Sequence, residues 1–349
     1  MTKRTEELKS IISAIPAKGN VAIFPHSGVD GDGLGSTLAL KFALKAIGVN
    51  AHVFTDNPIP KRFEFLPGID EIIVFPENTD MNLVLNEVYP KGKIDMGILI
   101  DCASSTRIGA CEKIFHFCPA RAIIDHHATV FCTEDFCCID SKACASGELV
   151  YDFIKVLEDT YSADIFSQEI ATAIMTTIYS DTGGFFYSNT NAKAFNIASK
   201  LFTEFKIDTR SISYNLFERT TIAKILLESK AFETTYFLMD NKIAICLVTK
   251  QMILECGAND NDVDGICAEL RNIEGVVVAF VLREKDNGEI RGNIRSSDEF
   301  DASLFAVSLG GGGHMRASGF TLREMTLSQA YDLVAAKSVA MVKKAEGRV

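Results

Sequence analysis

The sequence places acidic and imidazole side chains at the ends of several short apolar stretches. The members of this set are His26, Asp30, Asp32, Asp101, Asp125, His126, His127 and Asp181. The four carboxylates of Asp30, Asp32, Asp101 and Asp181, if clustered, would repel one another strongly without compensating cations. If these segments meet in the fold, the mixed carboxylate and imidazole donors predict a site for two divalent ions. Manganese suits such ligands, with magnesium, iron or cobalt as alternatives.

Each cluster also has an ordinary structural explanation. Two adjacent histidines after a strand can lie in a solvated loop, and the stretch from His26 to Ser36 can be a plain glycine and aspartate turn. Asp101 or Asp181 alone can be a helix cap or a turn acid. A phosphate-binding P-loop is a further alternative for the glycine-rich stretch, but its Lys-Ser/Thr pair is missing and acids take its place. The functional interpretation therefore depends on the clusters being close together.

The elements that would position these residues alternate between apolar strands and helices. Strands are predicted at Asn20–Pro25, His52–Phe54, Glu71–Phe75, Met96–Ile100 and 120–125, and helices at Lys3–Ala14 and Thr37–Ile47. This alternation is typical of a parallel sheet with helices on both faces. Three strands end at His26, Asp101 or Asp125, and parallel strands present their carboxyl ends at one edge, where open α/β sheets bind ligands.

The second half of the chain changes from helices to strands. Helices are predicted at Ser146–Glu158, Gln168–Tyr179, Asn191–Phe202 and Thr209–Leu227, and strands at Phe232–Met239, Ile243–Val248, Val276–Arg283 and Glu289–Arg295. A length of 349 residues favours two domains. We predict an α/β protein with a parallel-sheet N-terminal domain at 1–205, a helical linker at 206–230 and a smaller α/β C-terminal domain at 231–349.

The composition argues against several classes of function. With 47% hydrophobic and 23% charged residues the chain is globular, and no apolar run approaches the roughly 20 residues of a membrane span. The N-terminus lacks the apolar core of an export signal. The formal charge of −11 opposes binding of long nucleic acids, which requires many Lys and Arg contacts. We expect a cytoplasmic protein whose ten cysteines are buried, reduced thiols.

A second polar cluster lies near the C-terminus. Four consecutive glycines, 310–313, precede His314 and can direct backbone N–H groups at an anion, with His314 as a further donor. Upstream, Arg295 and Ser296 end a predicted strand and could bind a phosphate or carboxylate. A flexible linker is the alternative explanation of the glycine run.

Together these residues resemble the motifs of the DHH phosphoesterase family over nearly the whole chain. The matching segments are Asp125-His126-His127, His26-x3-Asp30-x-Asp32, Asp101 and Asp181 for the first domain, and 310–314 with Ala317-Ser318-Gly319 for the DHH-associated C-terminal domain. The length and layout are similar to the bifunctional nanoRNase and pAp phosphatase branch. One departure is Val29, where the family usually has proline.

The resemblance implies a role for each matching residue. One metal would be held by His26 and Asp30, the other by Asp32, His126 and Asp181, and Asp101 would bridge both. The catalytic residues would be Asp101, Asp125 and His127, of which Asp125 orients its neighbours and His127 faces the phosphate. The substrate contacts would be His127, Arg107, Arg295, Ser296, Gly311, Gly312, Gly313 and His314, those of the C-terminal domain binding the far end of the substrate across the interdomain cleft.

The resemblance therefore implies a manganese-dependent phosphodiesterase and phosphatase acting on very short oligoribonucleotides and on 3′-phosphoadenosine 5′-phosphate (pAp). A linear or cyclic di-adenylate phosphodiesterase and a polyphosphatase are alternatives, as is a nucleotide-binding regulator without turnover. The expected partner is short RNA or a small nucleotide, with no membrane and no long duplex DNA, and a homodimer is compatible with the sequence. His52 and His116 lie outside every cluster and are expected to be structural or surface residues.

Overall fold

Two sheets organise the chain, one in each of the two units Met1–Arg219 and Thr220–Val349. A computed structural model of the protein describes residues 2–90, 92–127, 132, 134–263, 265–345 and 347. The division falls inside the stretch 206–230. Among the helices of the described residues, none is both long and apolar enough to cross a membrane.

The first unit contains a six-stranded parallel sheet. Its strands are β1 (Asn20–Pro25), β2 (Asn50–Thr55), β3 (Ile73–Val74), β4 (Met96–Ile100), β5 (Ala120–Asp125) and β6 (Phe136–Ile139). They are ordered β3-β2-β1-β4-β5-β6, and every pairing is parallel. Because Pro25 pairs with Ile100, and Ile100 with Ile124, the carboxyl ends of β1, β4 and β5 lie side by side.

Helices pack against this sheet. They are α1 (Lys3–Ala14), α2 (Gly31–Ala46), α3 (Met81–Val88), α4 (Glu112–Phe117), α5 (Ser146–Tyr161), α6 (Gln168–Thr182), α7 (Ala192–Glu204) and α8 (Thr209–Ser213), which continues into a π-helical turn at Tyr214–Glu218. Short 3-10 turns lie at Lys61–Phe63, Ile69–Glu71, Ser105–Arg107 and Gly109–Cys111. Helix α2 is buried along most of its length because α5, α6 and the strands β1 and β2 all contact it.

The predicted α/β class is confirmed, with differences at particular elements. The strands predicted at Asn20–Pro25 and Met96–Ile100 and the helix predicted at Lys3–Ala14 have the predicted bounds. The helix predicted from Thr37 begins instead at Gly31, because tertiary contacts with α6 outweigh the low helix propensity of the glycines. Strand β6 was not predicted from the sequence.

Glycine is required at position 35 because α2 and α6 touch there. A Cβ on Gly35 would lie 2.6 Å from the carbonyl oxygen of Ala173 and 2.6 Å from Cγ2 of Thr177. These two helices carry Asp32 and Asp181, so their separation sets the distance between the two carboxylates.

We expect Gly35→Ala to lower the free energy of unfolding by about 1–3 kcal/mol, the usual cost of overpacking a core. Urea unfolding followed by circular dichroism measures this change. Gly312→Ala is the matched control, because no atom lies within 4 Å of the added Cβ. Equal unfolding curves for Gly35→Ala and the unmodified protein would contradict the close approach of the two helices.

The second unit contains a mixed six-stranded sheet. Its strands are β7 (Thr235–Leu238), β8 (Ile243–Val248), β9 (Val278–Glu284), β10 (Ile290–Ser296), β11 (Gly312–His314) and β12 (Ala317–Leu322), in the order β11-β12-β10-β9-β8-β7. Only β8 and β9 pair in parallel among the pairings of the described residues. The helices are α9 (Ile222–Glu233), α10 (Lys250–Glu255), α11 (Ile266–Asn272), α12 (Ala302–Val307) and α13 (Leu327–Ala345), with a 3-10 turn at Asp260–Val263.

The glycine run 310–313 is not the flexible linker that was its alternative explanation, because Gly312 and Gly313 belong to the edge strand β11. A Cβ on Gly311 would collide with the carbonyl oxygen of Gly319 on β12. Glycine there permits a close approach of two backbones, a use of the residue that composition does not reveal.

The cysteines differ from the expectation in one pair. Cys132 and Cys137 form a disulfide, with Cα atoms 6.1 Å apart, a separation that such a bond spans. The expectation of reduced thiols is therefore wrong for this pair, in which Cys132 lies beside Cys137 of β6. The other eight cysteines are buried free thiols.

Candidate metal centre

Three neighbouring strands deliver polar side chains to one edge of the first sheet. His26 follows β1, Asp101 follows β4, and Asp125 ends β5 before His126 and His127. The strand order reverses between β1 and β4. Open α/β sheets bind their ligands at the carboxyl ends of the strands beside such a reversal.

One group of donor atoms combines His26, Asp30 and Asp101. Nε2 of His26 lies 3.7 Å from Oδ1 of Asp30 and 3.5 Å from Oδ2 of Asp101. Nδ1 of His26 lies 2.8 Å from the carbonyl oxygen of Ser27, to which it donates. This contact directs Nε2 toward the carboxylates, as is usual for metal-binding imidazoles.

A second group combines Asp32, His126 and Asp181. Nε2 of His126 lies 3.2 Å from Oδ2 of Asp181 and 3.7 Å from Oδ2 of Asp32. The same nitrogen lies 3.5 Å from Oδ1 of Asp101. Because Oδ2 of Asp101 faces His26 and Oδ1 faces His126, this carboxylate stands between the two groups.

The backbone at Asp101 is in an uncommon conformation. Its φ of 58° lies in the left-handed region, which Asp and Asn tolerate better than most residues. The N–H of Asp101 donates to the carbonyl oxygen of Ile124 on β5 (3.0 Å), and Oγ of Ser146 donates to its Oδ1 (3.0 Å). Backbone strain of this kind persists only where the surrounding contacts maintain it, and it concentrates at functional sites.

The N-terminus of α5 binds the buried carboxylate of Asp32. The N–H groups of Ser146 and Gly147 donate to it over 2.7 and 3.0 Å, and Oγ of Ser36 donates over 3.0 Å. A helix N-terminus stabilises negative charge, so α5 holds this carboxylate in place. These donors were not predicted from the sequence, in which the predicted helix start at Ser146 is the only signal that points to them.

The carboxylates at this edge repel one another. Burial, together with Asp101, Asp181 and Asp30, raises the pKa of Asp32 well above its usual value. Burial and the same kind of repulsion raise the pKa of Asp181 to about 8. Burial lowers the pKa of His26, but its interactions with the nearby carboxylates of Asp101 and Asp30 outweigh burial and raise that pKa to about 10.

The donor set fits divalent cations. Each of the two groups offers three donor atoms that all lie within 4.8 Å of one another. Together the two groups contain four carboxylates and two imidazoles. Cations would offset the repulsion that raises the pKa values of the acids. Oxygen and imidazole donors suit manganese and its neighbours better than the soft metals that thiolates select.

Cation binding is expected to depend on pH because of Asp181. Below about pH 8 a proton competes for this carboxylate, and above that pH it is ionised. We expect Mn²⁺ affinity to rise from about pH 6, by up to about tenfold per pH unit for each proton displaced, and to keep rising above pH 8 because His26, with a pKa of about 10, must also lose its proton. Calorimetry in buffers of different ionisation enthalpy measures affinity and proton release together. Asp181→Asn should reduce this slope, and an affinity independent of pH would contradict the prediction.

His127 pairs with Asp125. Its Nδ1 lies 2.7 Å from Oδ1 of Asp125, which also accepts the N–H of His127 over 3.2 Å. This hydrogen bond raises the pKa of His127, and the charge of Arg107 opposes the shift. Burial raises the pKa of Asp125, but the hydrogen bond from His127 outweighs burial and lowers it. A third donor group, Asp101 with His126 and His127, also exists, but the shorter contact assigns Nδ1 of His127 to Asp125.

Arg107, a predicted substrate contact, and the histidines His52 and His116 lie outside the two donor groups. The carbonyl oxygen of Arg107 accepts the N–H of Ser27 (2.7 Å), which places the exposed Arg107 at the same edge of the sheet. His52 instead contacts Asn50, and His116 contacts Glu112. These two histidines lie outside the donor groups, as expected from the sequence.

In the second unit, Arg295 and His314 lie on one face of the sheet. Arg295 on β10 is opposite Ala317 on β12, which is opposite His314 on β11. Directly opposed residues of antiparallel strands share a face, and two strand spacings separate the outer pair by about 10 Å. The hydroxyl of Ser296 is buried and donates to the carbonyl oxygen of Phe300 (2.7 Å), a contact within the fold.

Comparisons with known proteins agree with this architecture. The models of the DHH family, N-terminal domain and of the DHHA1 domain match residues 20–178 and 241–340. A bifunctional oligoribonuclease and PAP phosphatase of Thermus thermophilus is 28% identical over 94% of this chain and 92% of its own. The Mycoplasma pneumoniae protein of the same name is 25% identical over 92% and 93%. The structure of an exopolyphosphatase-related protein from Bacteroides fragilis covers 98% of this chain and 100% of its own, with 23% identity and a TM-score of 0.86, and shares the fold.

Proposed function

We propose that this chain is a dinuclear-metal phosphoesterase. The premise is that the chain belongs to the DHH family and contains a DHH N-terminal domain followed by a DHHA1 domain. Its proposed substrates are very short oligoribonucleotides and pAp, hydrolysed to nucleoside monophosphates with manganese as the metal. The observation that carries the proposal is the position of Asp101 between the two donor groups. The names of the Thermus and Mycoplasma relatives support the choice of substrates.

The residues of the chain suit this chemistry. Two divalent ions, when bound at such a site, activate water and neutralise charge on the phosphoryl group. Asp101 would fix the spacing of the two ions, because one carboxylate oxygen faces each donor group. His127, with a pKa raised by Asp125, is suited to give a proton to the leaving oxygen. Asp125 would orient the imidazole and keep its proton on Nδ1.

Substrate length is a separate part of the proposal. The net charge of −11 disfavours long polyanions, so local cations must bind the substrate. Arg107 is exposed at the metal edge of the first unit. Arg295 and His314 are exposed on one face of the second sheet, beside the glycines of β11. We assign these three residues to phosphate or terminal contacts of a short substrate.

A substrate panel tests the proposal. Purified protein with Mn²⁺ is incubated with pAp, with ribonucleotide dimers to pentamers, and with cyclic di-AMP, pyrophosphate and polyphosphate. We expect hydrolysis of pAp and of the short oligomers, loss of turnover with a chelator and recovery with added Mn²⁺. Turnover confined to pyrophosphate, polyphosphate or cyclic di-AMP would contradict the proposed substrates. Binding across the panel without product would identify a regulator instead.

A further inference from the structure

Two adjacent phenylalanines shortly after Asp181 have opposite environments. The ring of Phe185 stacks on Phe195 with centroids 4.9 Å apart and meets the edge of Tyr179 at 5.4 Å. The next side chain, Phe186, is 90% exposed. A large aromatic side chain this exposed gains nothing from the core, so its position requires an explanation outside folding stability.

The backbone around these residues is held in an unusual turn. Gly183, Gly184 and Phe185 have φ values of 58°, 66° and 74°, and a bulky residue at such a φ is strained. The packing of Phe185 offsets this strain. The N–H of Tyr187 donates to the carbonyl oxygen of Thr182 (2.9 Å) and closes the turn, which projects Phe186 into solvent.

The turn is tied directly to the metal ligand Asp181. Nδ2 of Asn189 donates to the carbonyl oxygen of Asp181 over 3.0 Å and to that of Cys144 over 2.9 Å. Cys144 lies two residues before Ser146, which holds Asp101 and Asp32. The exposed aromatic residues therefore have a fixed position relative to the donor groups.

Two further exposed rings surround the same turn. The ring of Tyr187 packs on Gly183, and that of Phe217 lies 3.7 Å from a Cβ built on Gly184. Phe217 belongs to the π-helical turn Tyr214–Glu218, an element frequent at functional sites. We call Phe186, Tyr187 and Phe217 the aromatic rim.

The π-helical turn also reaches the other side of the metal edge. Its Leu216 lies 3.3 Å from a Cβ built on Gly31, the residue between Asp30 and Asp32. One short element thus contacts both segments that carry the candidate metal ligands.

Cations lie beside the aromatic rim. Nη1 of Arg219, directly after the π-helical turn, donates to the carbonyl oxygen of Lys61 over 3.0 Å. This contact brings the 3-10 turn Lys61–Phe63, which carries the exposed residues Lys61 and Arg62, next to the π-helical turn. In a chain with a net charge of −11, aromatic faces beside three cations suit a ligand that is both anionic and aromatic.

We infer that the aromatic rim stacks a nucleobase of the substrate while the adjacent phosphate is at the metal centre. This inference rests on the proposed nucleotide substrate and adds a determinant of its recognition. Stacking on aromatic side chains tolerates any base, so the rim would favour nucleotides over inorganic phosphates without selecting a sequence. A nucleobase fits this position better than a protein partner, because the exposed rings adjoin the metal edge and its cations.

The test compares substrates with and without a base. The variant is Phe186→Ala/Phe217→Ala, and the substrates are a ribodinucleotide and its analogue lacking one base. We expect KM for the intact dinucleotide to rise by about 5- to 150-fold, the range for losing one stacked base, with kcat unchanged and the abasic analogue unaffected. Phe117→Ala is the matched control, because Phe117 is 48% exposed, close to the 49% of Phe217, and precedes β5 at the opposite edge of the sheet.

Two results of this comparison would overturn the inference. One is an equal change of KM for both substrates. The other is an unchanged KM for the intact dinucleotide; a shift of the double variant to a smaller oligomer would then assign the rim to contact with a second copy of the chain.

A binding measurement separates this inference from the proposed function. The chain has no tryptophan, so Phe186→Trp introduces a single reporter that retains the stacking surface. We expect AMP to quench its fluorescence and ribose 5-phosphate to leave it unchanged, with no metal added. Quenching by AMP in a protein that hydrolyses no nucleotide would refute the proposed function alone. Nucleotide hydrolysis with identical responses to AMP and ribose 5-phosphate would refute the aromatic rim alone.

Discussion

Asp101→Asn is expected to abolish hydrolysis while leaving the fold intact. The substitution removes the charge that stands between the two donor groups, where one carboxylate oxygen faces each imidazole. Loss of one preorganised charge-stabilising group commonly lowers kcat by about 10²–10³, and loss of a carboxylate that faces both groups should cost at least about 10³. The native φ of 58° suits Asn as well as Asp, so the backbone keeps its conformation.

Stability separates this prediction from simple unfolding. Asp101 repels the carboxylates of Asp32 and Asp181, but it also attracts the imidazole of His26, so neutralising it removes both unfavourable and favourable interactions. The metal-free variant should therefore have a melting temperature close to that of the unmodified protein. Calorimetry and single-turnover kinetics measure the two effects, with Asp70→Asn, an exposed acid of a 3-10 turn, as control. Near-normal turnover by the Asp101 variant would refute its bridging role.

Substitutions of the adjacent histidines His126 and His127 are expected to have different effects, one on metal affinity and the other on turnover. His126→Ala removes a donor that contacts Asp32, Asp101 and Asp181, so Mn²⁺ affinity should fall by at least the roughly 10- to 100-fold known for outer-shell partners of metals. His127→Ala removes the proposed proton donor, which is hydrogen-bonded to Asp125, so kcat should fall by about 10²–10⁴ with metal affinity retained.

Calorimetric titration with Mn²⁺ and steady-state kinetics at saturating metal distinguish these outcomes. Excess Mn²⁺ should restore part of the activity of His126→Ala and none of that of His127→Ala. His52→Ala serves as the control, because His52 contacts Asn50 and Tyr89 away from the donor groups. A loss of metal affinity in His127→Ala would show that this imidazole is a ligand, as the third donor group allows.

Buried strands were the most predictable part of the fold. The runs Asn20–Pro25 and Met96–Ile100 are apolar on both faces and are followed at once by polar residues, so their ends were visible in the sequence. Because parallel strands align their carboxyl ends, the sequence also predicted that His26, Asp101 and Asp125 would meet. That expectation follows from sheet geometry and needs no knowledge of long-range packing.

Contacts between distant segments were not predictable in this way. The helix at Gly31 depends on the fit of Gly35 against Ala173, which no local propensity encodes. The support of Asp32 by Ser146 and Gly147 joins residues more than a hundred positions apart. The turn that exposes Phe186 depends on the stacking of Phe185 against Phe195.

The spacing of the donor residues along the chain has a consequence for the lifetime of the protein. The donors extend from His26 to Asp181 and converge only when β1, β4, β5 and the helices α2 and α6 are assembled. Since the unfolded chain offers no such group, a cation binds the native state alone and adds about 2.7 kcal/mol at a hundred times its dissociation constant. Metal starvation would therefore expose this unit to proteolysis as well as stop its chemistry.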